Sequence, residues 1–291
     1  MSTRLPVSAV RAPRGIPAFE YDEADLDRFR EVQQLAYRCA ERVAGWIEPG
    51  VTERQTVARL RRELVAEGVQ DFFHIPFAWF GDRTAFRNFH TPLQFFATSR
   101  VLTEGMPYVL DCAPIVDGYT ADIGYAGKVG ENAVWDRIVA DLDVHRDLIL
   151  REVRERRTLD EVYRAVDALI LEQGYDNRHR VYPGRVIGHR VTRVTLRRPV
   201  GVNVFGFGVR TLRTLGRELI GERLHGRSPL WADGRASAHP PTPGLWAVEP
   251  HIALRQVGAK FEELLVVTDD DAFWLDEDLP HVRRVREAGA R

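Results

Sequence analysis

Lysine is almost missing from this chain. Lys128 and Lys260 stand against 39 arginines, a skew that coding bias accounts for most simply. The total charge is balanced, with 41 basic and 42 acidic residues and a net charge of -1. That balance lacks the basic excess of a general nucleic-acid binder. Cysteine is scarce too: Cys39 and Cys112 fit no spaced metal or disulfide pattern and read as reduced thiols of a cytoplasmic protein. No stretch reaches the length of apolar sequence that a membrane-spanning helix needs. Residues 1–18 carry arginines and prolines without the apolar core of a signal peptide, and read as a flexible arm. HExxH, GxSxG, Walker A and CxxC motifs are all absent. Gly206-Phe207-Gly208 lacks the third glycine and following acid of a dinucleotide fingerprint.

What remains is a chain of 291 residues, 44% of them hydrophobic. That is long enough to bury a core without staples and too apolar for disorder. We read residues 19–291 as one domain. Apolar residues at helical spacing predict a helix over 22–48, stopped by Pro49-Gly50. Thr52 with Gln55 predicts an N-capped helix to about Glu67. An aromatic strand follows over 69–80, then an irregular segment over 81–92. Strands are predicted at 108–112 and 119–123, joined through Asp117-Gly118, a strong hairpin signal. Helices are predicted near 132–155 and 158–173, then a strand at 185–189 and two final strands near 245–254 and 260–268. Helices and then antiparallel strands thus occur twice in succession, which favours an α+β fold over a doubly wound sheet. The region from 200 to 242 breaks this pattern and shows no clear sheet partner.

With Asp117 and Gly118 as the central turn residues, Ala113 pairs with Asp122. Asp111 then points to the same face as Asp122. The two carboxylates become diagonal neighbours roughly 6–8 Å apart at Cβ. At an effective dielectric near 20 they repel by about 3 kcal/mol, and their apolar flanks place them in or near a core. Such a pair needs a cation, a shared proton or an arginine. From the pair alone, a solvated turn aspartate is an equally good reading. His189 after Gly188 reads, taken alone, as a hydrogen-bonded core histidine. Glu249 and Glu262 each sit in or beside an apolar run, where an unpaired carboxylate is costly. Four acids and one imidazole can neutralise one another around two divalent cations. Oxygen-rich ligation of this kind suits Mn²⁺, Fe²⁺, Co²⁺ or Zn²⁺.

From about residue 20 onward the sequence resembles the pita-bread metallopeptidases, which include methionine aminopeptidase, Xaa-Pro aminopeptidase and prolidase. Leu110-Asp111, Asp117-Gly118, Asp122-Ile123, Gly188-His189, Val248-Glu249-Pro250 and Phe261-Glu262 carry the resemblance. The closing strand, Gly258 to Glu263, is closer to the Xaa-Pro branch. The resemblance implies a pseudo-twofold repeat of helices on a curved antiparallel sheet. It implies that Asp111 binds one metal, Asp122 and Glu262 bridge both, and His189 and Glu249 complete the other. A hydroxide between the metals would be the nucleophile and Glu249 the proton shuttle. His90, reached through Gly81-Asp82-Arg83-Thr84, would contact substrate. The implied activity is cleavage near the N-terminus of a short peptide; no membrane partner is expected, and the sequence leaves a homodimer open. Two alternatives stay open: a creatinase-like hydrolase of a non-peptide C–N bond, and a non-catalytic binding module on the same fold.

Two positions depart from the family pattern. Leu196 stands where a second histidine is usual, and Arg190 follows the ligand histidine in place of a small or polar residue. His225 or His239 could supply the missing imidazole. Ten arginines lie between Arg185 and Arg227, against Glu218 and Glu222. They form either a solvated surface or a positive rim, with Arg190 as a substrate contact, that attracts a substrate carboxylate. The apolar set Val202, Val204, Phe205, Phe207, Val209, Leu212, Leu215, Leu219 and Ile220 calls for burial. The 200–240 insert is therefore expected either to fold over the cleft or against a partner subunit and restrict it to short substrates, or to pack on the outer helices as extra core.

Overall fold

The structure is a computed structural model that describes residues 19–194, 203–204 and 206–289. The expected arm over 1–18 and Leu196 lie outside the described residues. Helix α1 (Glu23–Ala44) starts where the Asp25 N–H donates to the Asp22 carboxylate, 2.8 Å. Helix α2 (Glu53–Ala66) starts at the expected Thr52–Gln55 capping box, a device that contributes about 1 kcal/mol. The pair recurs in the second half as α3 (Ala133–Arg154) and α4 (Leu159–Glu172), α4 again opened by a capping box, Thr158 with Glu161.

Each helix pair covers its own antiparallel sheet. The first sheet orders strands 77–80, 107–112 and 123–128. Its interior packs Leu110, Phe80 and Cys112 against Tyr37, Ala40, Leu60 and Leu64 of α1 and α2. The second sheet orders strands 230–232, 186–191, 244–248, 263–267 and 272–274. Trp246, Val248 and Leu265 pack there against Ile149, Val162 and Val166 of α3 and α4. All strand pairs are antiparallel, as an α+β fold requires.

The expected hairpin is present. Asp117 (φ 51°) and Gly118 (φ 87°) take the left-handed conformation of a two-residue turn. Val116 pairs with Tyr119, and the same register runs through Asp111 opposite Gly124. A bridge between Gly124 and Glu262 joins the two sheets. Gly188 is needed for a similar reason: a Cβ there would lie 2.5 Å from the Ala247 carbonyl oxygen, so only glycine lets the strands approach before His189.

The insert differs from expectation in three ways. It contains a helix, α5 (Val209–Leu224), that composition alone did not reveal. It also has a sheet partner, because strand 230–232 pairs with strand 186–191 and carries the fully buried Trp231. Part of its apolar set stays exposed: Leu215 lines the interior cleft but Ile220 is 67% exposed, and Val202 and Phe205 lie outside the described residues. A last helix, α6 (Pro280–Gly289), closes the chain.

Candidate metal centre

The four acids and one imidazole singled out from sequence meet where the two sheets join. Asp111 ends one strand and Asp122 precedes its partner. His189 lies in the middle of the second sheet opposite Ala247, Glu249 follows strand 244–248, and Glu262 precedes strand 263–267. All five are buried. Donor atoms of Asp122, His189 and Glu262 lie within 4.8 Å of one another, as do those of Asp111, Glu249 and Glu262. Glu263, the next residue, takes the opposite face and pairs with Arg146 at 2.8 Å.

Two further side chains complete the cluster, and neither was expected. His74 lies on the short link between strands 71–72 and 77–80. Its Nε2 sits 3.1 Å from Asp122 Oδ1 and 3.2 Å from Asp111 Oδ1. Its sequence signal was a single imidazole inside the aromatic run Phe72 to Phe80. Lys260 is fully buried, and its ammonium donates to Asp111 Oδ2 (2.6 Å), Glu249 Oε2 (2.7 Å) and Glu262 Oε2 (2.8 Å). Its signal was spacing: residues 260 and 262 share one face of a strand.

The donor chemistry tests whether a cation belongs here. His189 Nδ1 faces the Arg190 carbonyl at 3.2 Å and His74 Nδ1 faces the Ile75 carbonyl at 2.8 Å. Each Nδ1 must donate to its carbonyl, so a neutral ring turns the Nε2 lone pair toward Asp122. Lone pairs facing carboxylate oxygens repel unless a proton or a metal lies between them. A ring Nδ1–H held by a backbone carbonyl in this way fixes the tautomer and orients a metal-ligating histidine. Without a metal, protons fill the role. Burial lowers the His74 pKa, but the charge and hydrogen bond of Asp122, with Asp111 beside it, outweigh burial and lift it to about 9. Burial raises Glu249, and Lys260 only partly offsets this. The residues thus fit a divalent ion, and three sets could hold one: His74, Asp111 and Asp122; Asp122, His189 and Glu262; and Asp111, Glu249 and Glu262. The last of these sets also holds the Lys260 ammonium.

The centre forms the floor of a cavity of about 370 Å³, within the range of small-molecule sites. Phe73, Phe77, Trp79, Phe95, Leu212 and Leu215 form much of its apolar wall. Phe73 stacks on the His189 ring (centroids 5.0 Å, planes 3° apart), and His74 stacks on Phe77. His90 is exposed and does not line this cavity. Arg190, beside His189 but on the other face of the strand, points away from it, and its Nη2 donates to the Pro243 carbonyl at 3.1 Å. His225 is exposed and bonds the Gly221 carbonyl, while His239 accepts from the Ser228 N–H. Neither lines the cavity.

A carboxylate–imidazole centre between two helix-backed antiparallel sheets defines a class, the pita-bread metal-site proteins. The chain belongs to metallopeptidase family M24, whose model matches residues 27–269. A search of curated protein sequences returned no match. The fold is similar to the X-Pro aminopeptidase of Thermotoga maritima, with a TM-score of 0.66 and 17% identity over 90% of this chain and 63% of that one. It is also similar to a dipeptidase of Mycobacterium ulcerans, with a TM-score of 0.62 and 20% identity over 89% of this chain and 59% of that one. A methionine aminopeptidase of Rickettsia prowazekii matches with a TM-score of 0.58 and 16% identity, over 89% of this chain and 99% of that one. The chain therefore spans less than two thirds of the first two. No helix among the described residues is long and apolar enough to cross a membrane.

Proposed function

We propose that the protein is a metal-dependent hydrolase that cleaves an amide bond near the N-terminus of a short, largely apolar peptide, in the manner of an Xaa-Pro aminopeptidase or dipeptidase. The observation that carries this reading is the convergence of Asp111, Asp122, His189, Glu249 and Glu262 on the floor of an apolar cavity. Asp122, His189 and Glu262 would hold a divalent ion, which supplies a Lewis acid and an activated water nucleophile.

The chain's own residues do the rest. Glu249, with its carboxyl raised by burial, holds and returns the proton that must pass to the leaving amine. His74, beside Asp122 and Asp111, presents Nε2 to the same space and in its protonated form is the donor for the substrate carbonyl oxygen. In this proposal it takes the substrate-contact role expected of His90. Phe77, Trp79 and Phe95 exclude water and hold an apolar side chain. Leu212 and Leu215 of α5 roof the cavity, limit its length and so select short substrates.

The test is a panel of dipeptides and tripeptides, including Xaa-Pro sequences, assayed with Mn²⁺, Co²⁺ or Zn²⁺ and followed by release of the N-terminal residue. Metal-stimulated release that EDTA abolishes and Asp122→Asn eliminates is the expected outcome. Bound metal without cleavage of any peptide overturns it in favour of another C–N bond.

A further inference from the structure

We propose that Lys260 is a built-in replacement for one of two metal ions, so that the centre takes a single divalent ion, between Asp122, His189 and Glu262. The inference rests on the metallohydrolase reading above. Three observations carry it. First, the Lys260 ammonium contacts Asp111, Glu249 and Glu262 at 2.6, 2.7 and 2.8 Å, and these same three acids form one of the candidate metal clusters. An ammonium has three protons to donate, and each finds one carboxylate. Second, the stem is seated in a channel made for it. A Cβ at Gly124 would lie 2.4 Å from Lys260 Cε and 3.1 Å from its Cδ and Cγ, so the stem runs across the glycine backbone. On its other side the Tyr182 ring centroid lies 5.1 Å from Nζ. Lys260 is fully buried, and among the described residues no other acid forms an ion pair with it.

Third, the charges favour one ion. Asp111, Asp122, Glu249 and Glu262 with Lys260 sum to −3 when the imidazoles are neutral. One divalent ion nearly neutralises that set. A second would have to share its oxygens with an ammonium of like sign. Lysine suits the position because its charge is compact and its stem flexible, whereas arginine's planar fork spreads its donors over a wider arc.

The whole chain can be tested directly. Wild-type protein is loaded with Mn²⁺, desalted, assayed for metal by mass spectrometry and examined by electron paramagnetic resonance. One manganese per chain, with the hyperfine pattern of an isolated ion, is expected. Two ions with a coupled spectrum overturn the inference and leave the hydrolase reading intact. No bound ion overturns both. Lys260→Met and Gly124→Ala, the second displacing the lysine stem without touching a carboxylate, should each take up a second manganese and show the coupled spectrum. If both fold and still bind only one ion, the lysine is not what excludes the second, and the inference fails.

Discussion

The two halves of the centre solve one problem with different chemistry. On the side of Asp111 and Glu249, buried carboxylates are neutralised by a covalently attached ammonium held in a fixed channel. On the side of Asp122, they face two imidazoles whose outer nitrogens are tied to backbone carbonyls. A tethered cation cannot be lost to a chelator and cannot accept a water. The His189 imidazole can give up its Nε2 proton to an incoming ion. On the proposals above, the first half is neutralised by a fixed cation and the second by an exchangeable one.

The largest expected effect is on the side of Asp122. Asp122→Asn should lower kcat/KM by about a thousandfold or more, roughly 4 kcal/mol of barrier, and remove metal binding measured by calorimetry. Retained metal affinity would place the ion elsewhere. Next comes His74. His74→Gln should cost about a hundredfold, mainly in kcat if it meets the carbonyl oxygen as charge develops, while His90→Ala should change activity by less than about twofold. Steady-state kinetics of the two variants side by side would reverse our assignment if His90 proved the more sensitive.

A third prediction sharpens the contrast between imidazoles with and without carboxylates. His145 is fully buried beside an amide, bonding Gln173 at 2.8 Å, and burial lowers its pKa to about 4. The unfolded chain takes up this proton first as pH falls. The His145 contribution to stability is therefore complete above about pH 6.5 and is lost between about 6.5 and 4, up to about 3 kcal/mol. Urea unfolding across that range should show the loss, and His145→Leu should flatten it. The smallest effect concerns the roof of the cavity. Leu212→Ala with Leu215→Ala should raise relative turnover of longer peptides a few-fold and leave metal content unchanged. Deleting the whole insert is a poor substitute, because it would remove Trp231 and an edge strand of the second sheet.

Much of this was readable from the sequence, for physical reasons. Helix starts were legible because capping boxes are local, and the Asp111–Asp122 relation because a two-residue turn fixes register for the whole hairpin. The four acids and one imidazole stood out because a carboxylate in an apolar run demands compensation. His74 was obscured by its aromatic neighbours, which read as a wall in which one more ring is unremarked. Lys260 was read as part of a strand edge, since nothing local says whether a lysine at a strand end turns inward. Helix α5 was missed because Gly216 and Gly221 and its many arginines mask its period. The contact roles of His90 and Arg190 came from their chain neighbours. The backbone turns one to the surface and the other to the far face of its strand.

The scarcity of lysine gives the buried ammonium a practical consequence. Lys128 is 22% exposed at its side chain and Lys260 not at all, so amine-acylating reagents should mark Lys128 promptly and Lys260 only when the sheet junction opens. The slow rate of Lys260 acylation, read by peptide mass spectrometry, then measures how often the heart of the molecule breathes. Few proteins carry a single-residue clock at their centre without engineering, and here it needs no probe beyond the reagent.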